Sequence, residues 1–149
     1  MTTHRIAAVQ THPRFGANEP NLEHAEAMTA GLDADLIVFP ELFVSGYAFR
    51  DRDELAAHAE PWEGGKTGAL LARISARTGG MVIGGFPERA GDKLYNAAGI
   101  AVAGELRHVY RKVHLFGFEG DYFDAGTDPF PVFEHAGLRV GVMICFDCI

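Results

Sequence analysis

Leu36-Ile37-Val38-Phe39-Pro40-Glu41 (residues 36–41) is the stretch from which the fold is read. Its unbroken apolar run makes a short strand, and Pro40, with no N–H to offer a ladder, stops it. Upstream, residues 5–10 (RIAAVQ) read as a first strand and residues 11–16, with Pro13 and Gly16, as a loop. Asn18 is placed to cap a helix over residues 19–32. Pro20 suits its first turn, and Leu22, Ala25, Met28 and Leu32 make one apolar face. Strand, helix, strand in that order predicts a parallel pair with a helical crossover.

Downstream, residues 41–50 form a loop that is unusually apolar for its position. A short helix capped by Asp51 follows over residues 51–58. A second covers 66–78, with Leu70, Leu71 and Ile74 facing inward and Gly79 and Gly80 as its stop. Residues 81–86 read as a strand ended by Pro87, and residues 93–103 and 105–109 as a hairpin around Gly104. Residues 110–126 form a long loop, a feature that is uncommon unless functional. Residues 131–133 and 138–145 read as a last strand pair, turned at 135–137. The pattern is α/β with a mixed sheet, and no repeat or linker divides it.

The 149 residues suffice for one domain with a real core. The net charge of -7 argues against nucleic acid or an anionic membrane as main partner. No apolar run approaches a membrane span, and residues 6–9 are too short for a signal-peptide core, so the cytoplasm is the expected compartment. Cys145 and Cys148 stand too close to staple a large loop and are expected to be reduced thiols. Gly65-Lys66-Thr67 lacks the upstream glycine of a phosphate loop, since Glu60 occupies that place. The histidines match no common zinc spacing, and no metal or cofactor is called for.

Three residues carry chemistry. Cys145 ends the apolar run Val140-Gly141-Val142-Met143-Ile144 and is followed at once by Phe146-Asp147. A thiol delivered by a strand to the start of a loop suits a nucleophile; the alternative is a core cysteine. Glu41 stands past a strand end, at the mouth of the sheet where ligands sit in α/β folds. Leu42, Phe43 and Val44 predict its partial burial, which suits a carboxylate to general-base work. Lys112, in Tyr110-Arg111-Lys112-Val113-His114-Leu115-Phe116, leads into apolar residues; the alternative is a solvated Arg-Lys pair. Together they suit one reaction. Glu41 takes the thiol proton, the sulfur attacks a carbon bonded to nitrogen, and Lys112 stabilises the developing negative charge with a backbone N–H such as that of Phe146. A thioester remains, and water activated by Glu41 hydrolyses it.

This order and its flanks resemble the carbon–nitrogen hydrolase (nitrilase) superfamily over nearly the whole chain. Phe39-Pro40-Glu41-Leu42-Phe43 with Ser45-Gly46-Tyr47 looks like the family's general-base motif, and residues 110–115 like its lysine motif. Residues 141–147 look like its nucleophile motif, and Asn96-Ala97-Ala98 matches the hairpin upstream of the lysine. Glu119 matches a second glutamate that helps orient lysine and substrate; the alternative is a loop acid beside Asp121 and Asp124. The resemblance implies a nitrilase-like α-β-β-α sandwich with mixed sheets and homo-oligomeric assembly. It also implies roughly twice this length, so residues 1–149 are expected to be the N-terminal portion, cut off after the nucleophile strand.

Within the family, Phe146-Asp147 after the thiol looks like the amidase and carbamoylase branches, where nitrilases tend to have Trp-Glu. The expected substrate is therefore a small amide or N-carbamoyl compound, with a nitrile as alternative. Tyr47 and Phe116, beside Glu41 and Lys112, are assigned to the pocket entrance. Two other classes stay open: a non-catalytic interaction piece, and a thiol-redox or metal module built on Cys145 and Cys148.

Overall fold

The computed structural model describes residues 3–149. β1 (Ile6–Ala8), α1 (Asn18–Met28) and β2 (Leu36–Val38) form the expected parallel unit, with Ile6 opposite Leu36 and Ala8 opposite Val38. α2 (Arg52–His58) starts at Asp51, whose carboxylate accepts from Glu54 N–H at 2.8 Å. α3 (Lys66–Thr78) stops at Gly79, whose φ of 69° is left-handed.

α1 departs from expectation at both ends. Asn18 is its first residue, Ala17 precedes it, and no side chain caps it. The Asn18 amide is drawn away instead, donating to His58 O at the end of α2 (2.9 Å). The helix stops at Met28, short of Leu32, because Thr29 folds its hydroxyl back onto Glu26 O (2.9 Å) and Gly31 takes a φ of 79°. Arg77 of α3 also donates to the Thr29 carbonyl, at 3.0 Å.

β3 (Met81–Ala90), β4 (Lys93–Val102) and β5 (Glu105–Arg111) complete a five-stranded mixed sheet of order β1-β2-β3-β4-β5, parallel for the first three strands and antiparallel for the rest. β3 runs through Pro87, where a stop was expected. Pro87 O accepts from Glu60 N–H and Asn96 O accepts from Lys112 N–H, so Pro87 and Asn96 face each other without exchanging hydrogen bonds. The missing N–H therefore costs the ladder nothing. The turn from β4 to β5 has Ala103 at φ 48° and Gly104 at φ 93°, the two-residue form that matches strand twist.

β6 (Val132–His135) and β7 (Leu138–Gly141) form a separate antiparallel pair. The strand expected to reach Cys145 ends at Gly141. The next partner along β6 is Pro131, which accepts from Val142 N–H (3.1 Å) but has no N–H to return. The thiol thus sits on a short 3-10 turn, Cys145–Cys148, after an extended lead. The long loop also contains such a turn, Gly117–Asp121, and β5 reaches two residues beyond the expected 109.

Alternation along the strands divides the core into layers. Ile37, Val82, Phe86, Ala97 and Ala101 face Leu22 and Ala25 of α1 and Leu70, Leu71 and Ile74 of α3. Leu36, Met81, Ile83, Ala98, Ile100 and Val102 face Val142, Ile144 and the second sheet's Phe133, Leu138 and Val140. Helices, sheet and sheet are three layers of the expected sandwich: the five-stranded sheet is mixed, and the β6–β7 pair is antiparallel. Among the described residues no helix is long and apolar enough to cross a membrane.

Candidate active site

Glu41 enters a loop that is held on both sides. Phe39 N–H donates to Ile83 O (2.8 Å) and Gly85 N–H to Pro40 O (3.2 Å), so the chain stays against β3 past the last ladder pair. Leu42, Phe43 and Val44 are buried, Glu41 beside them is partly buried as expected, and Leu42 turns the chain at a φ of 48°. The approach requires a glycine: a Cβ on Gly85 would lie 2.6 Å from Glu41 Cα. Gly85→Ala is therefore expected to displace Glu41, costing about 1–3 kcal/mol in urea unfolding.

Lys112 follows directly on β5. Its N–H donates to Asn96 O (2.9 Å) and its carbonyl accepts from Gly126 N–H (2.8 Å). Strand alternation points it to the same face as Tyr110, toward the second sheet. The solvated-pair alternative fails: the Lys112 side chain is fully enclosed, and Arg111 turns away to a bidentate contact with buried Glu88 (2.7 and 2.8 Å).

The Lys112 ammonium lies 2.8 Å from Glu41 Oε1, and 3.0 and 2.9 Å from Glu119 Oε1 and Oε2. Burial by itself pushes such an ammonium down. Its hydrogen bonds to the two carboxylates outweigh that, and Lys112 is held above the ordinary lysine value. Glu119, on the 3-10 turn, is itself buried and accepts from Phe116 N–H (2.6 Å) and Tyr47 O–H (3.0 Å). Burial and the neighbouring Glu41 and Glu119 carboxylates push the Tyr47 phenol far up, so it stays a neutral donor.

Asn96 is a residue the sequence reading left without a role. Its Nδ2 donates to Glu41 Oε1 (2.6 Å) and Glu119 Oε1 (3.2 Å), bridging the two acids beside the lysine. Its Oδ1 is buried and finds no partner among the described residues. The signal was available: a polar amide inside an otherwise apolar strand is out of place unless something needs it.

Cys145 is an exposed free thiol, not a core cysteine, and its φ of 45° is unusual for a residue with a β-carbon. Asp147 behind it is buried and accepts from Ile144 N–H, His114 N–H and Tyr110 O–H, contacts that no sequence pattern announced. Phe146 lays its ring against Phe116, with centroids 5.0 Å apart.

Two cavities meet at the thiol. The larger, of about 470 Å3, has Lys112, Glu119 and Cys145 on its wall, with Tyr47, Phe116, Phe118 and Phe123 making it aromatic. The smaller, of about 130 Å3, has Glu41 and Cys145 among apolar residues such as Val38, Ile83 and Val142. Glu41, Lys112 and Glu119 are thus in direct contact, and Cys145 stands on a wall shared with each side of that group. Tyr47 and Phe116 both line the larger cavity. Among the described residues no group of three or more His, Cys, Asp or Glu side chains is placed to hold a metal ion.

Residues 5–149 match the family model described as carbon-nitrogen hydrolase. The chain is 36% identical over 146 residues to a protein of Pyrococcus abyssi named nitrilase, covering 96% of this chain and 56% of that one. It is 36% identical over 146 residues to an (R)-stereoselective amidase of a Pseudomonas species, covering 96% and 52%. The crystal structure of XC1258 from Xanthomonas campestris, a CN-hydrolase superfamily protein with an arsenic adduct in its active site, superposes with a TM-score of 0.86 at 29% identity, covering 99% of this chain and 55% of that one. The chain spans about half the length of these relatives.

Proposed function

The chain belongs to the carbon–nitrogen hydrolase family, and from that premise we propose that it carries the nucleophile, base and oxyanion cation of a hydrolase acting on an amide or N-carbamoyl substrate. The observation that carries the reading is the enclosed Lys112 ammonium, held between Glu41 and Glu119 on the wall of a cavity that also holds the Cys145 thiol.

Glu41 accepts the proton of the Cys145 thiol as the sulfur attacks the substrate's carbonyl carbon. The carbonyl π-electrons move onto oxygen. Lys112 and the Phe146 N–H stabilise that oxyanion; one well-placed donor of this kind is worth about 3–4 kcal/mol. The tetrahedral intermediate collapses, its C–N bond breaks, and the nitrogen leaves as ammonia or amine carrying the proton from Glu41. Water then attacks the thioester while Glu41 takes its proton. The C–S bond breaks, the acid is released, and the proton returns to sulfur. Glu119 holds the lysine on its second side, and Tyr47 and Phe116 border the cavity that admits the substrate. Phe146-Asp147 after the thiol favours an amide or N-carbamoyl group over a nitrile.

The test is intact-mass spectrometry after incubation with primary amides, N-carbamoyl amino acids and nitriles. An acyl adduct on Cys145 is expected from one of the first two classes. Glu41→Gln is expected to slow both formation and decay of that adduct by roughly 10²- to 10⁴-fold. An adduct from nitriles alone would reassign the substrate. No adduct from any class would favour the second reading, prompted by the half-length coverage, of a piece that interacts without turning over.

A further inference from the structure

Resting on the reading of Cys145 and Lys112 just given, we propose that Asp147 is a positioning residue: one buried carboxylate that locks the turn bearing the thiol to the loop that follows the lysine. Its side chain is fully enclosed. Oδ2 accepts from the N–H of Ile144, the residue before the thiol (3.0 Å), and from Tyr110 O–H on β5 (2.8 Å). Oδ1 accepts from the N–H of His114, two residues past Lys112 (2.9 Å), and lies 3.1 Å from His114 Nδ1. Each oxygen therefore serves a different piece of backbone.

A carboxylate shut away from water must keep its donors, because a stranded buried anion is costly. The two backbone pieces cannot part without stranding it. Burial alone would raise this carboxyl; the N–H groups of His114 and Ile144, the Tyr110 O–H and the His114 ring outweigh that and hold it below the ordinary aspartate value, so it is an anion at neutral pH. Cys145 needs such support. A φ of 45° on a residue with a β-carbon persists only where surrounding bonds over-determine it. Asp147 supplies two of them around Ile144, accepting that residue's N–H and donating its own N–H to Ile144 O (3.0 Å). Asp147 is on the wall of neither cavity that contains Cys145, so it acts through the thiol's placement and not on substrate.

Alkylation of Cys145 by iodoacetamide, in a Cys148→Ser background that leaves one reporting thiol, tests this without any substrate. Asp147→Asn is expected to slow alkylation on the order of 10-fold, as the thiol loses its place on the cavity wall it shares with Lys112. Tyr110→Phe keeps both loop anchors and is expected to stay within about twofold of the parent. On any substrate that acylates the protein, Asp147→Asn should lower kcat and leave KM unchanged.

A folded Asp147→Asn protein that alkylates at the parent rate overturns the proposal. So does Tyr110→Phe matching the Asn variant, since the carboxylate would then act through β5 packing alone. Where circular dichroism shows the Asn variant unfolded, Asp147→Glu is read in the same assay, and a parent-like rate again overturns it. Failure of the hydrolase reading looks different: no acyl adduct forms, while the contrast in alkylation remains.

Discussion

Lys112→Met is expected to lower the unfolding free energy by about 3–5 kcal/mol and to abolish the proposed hydrolysis. The reason is the company the ammonium keeps. Its side chain has no exposure, and the carboxylates it separates, on Glu41 and Glu119, are only 17% and 9% exposed. Without the cation, two acids share one enclosed space and Asn96 Nδ2 becomes a main neutral donor between them. Methionine fills the volume and isolates the loss of charge.

The pH dependence has a definite sign. The folded pKa of Lys112 is raised above 10.5. Its contribution is therefore fully present below that ordinary value and fades as pH rises through the raised folded one. Urea unfolding of the two proteins at pH 7 and pH 11 measures both effects. A loss at pH 7 below about 1 kcal/mol would mean that water reaches the carboxylates freely, and the enclosed arrangement would be wrong. Lys112→Arg is no rescue, because a planar guanidinium cannot occupy a point-charge site contacted from both sides.

Cys145→Ala should separate the two effects, leaving stability almost untouched while lowering the proposed hydrolysis by roughly 10³-fold or more. The thiol is exposed and belongs to no core cluster, and alanine meets the same backbone demand at a φ of 45°. The acyl adduct should vanish with it. Cys148→Ser should keep both adduct and turnover. Turnover retained by Cys145→Ala would sink the nucleophile assignment, and turnover lost in Cys148→Ser would revive a dithiol chemistry. Matched unfolding curves for all three proteins make the comparison clean.

These expectations draw on two kinds of information, and the division between them is physical. Local chemistry was legible along the chain. Asp51 caps α2 and Gly79 ends α3 because those residues answer to their immediate neighbours. The tight turn at Ala103-Gly104 follows from strand twist, and the apolar run at residues 36–39 carries the expected strand, which ends one residue early at Val38. Apolar flanks and expected strand ends also singled out the acid at 41, the lysine at 112 and the thiol at 145, although the strand before the thiol stops at Gly141.

Tertiary structure decided what depends on a partner remote in sequence. Whether Pro87 breaks a strand turns on which way its nitrogen faces, and only the pairing with Asn96 answers that. The strand before Cys145 stops at Gly141 because Pro131 happens to stand opposite the next residue. The side chain of Asn18 goes to His58 instead of capping its own helix. Asn96 and Asp147 gained roles for the same reason. A sequence records which groups exist and how their nearest neighbours bend the chain, but a hydrogen bond between Lys112 and Glu41 is a fact about 2.8 Å of space and not about the residues counted between them.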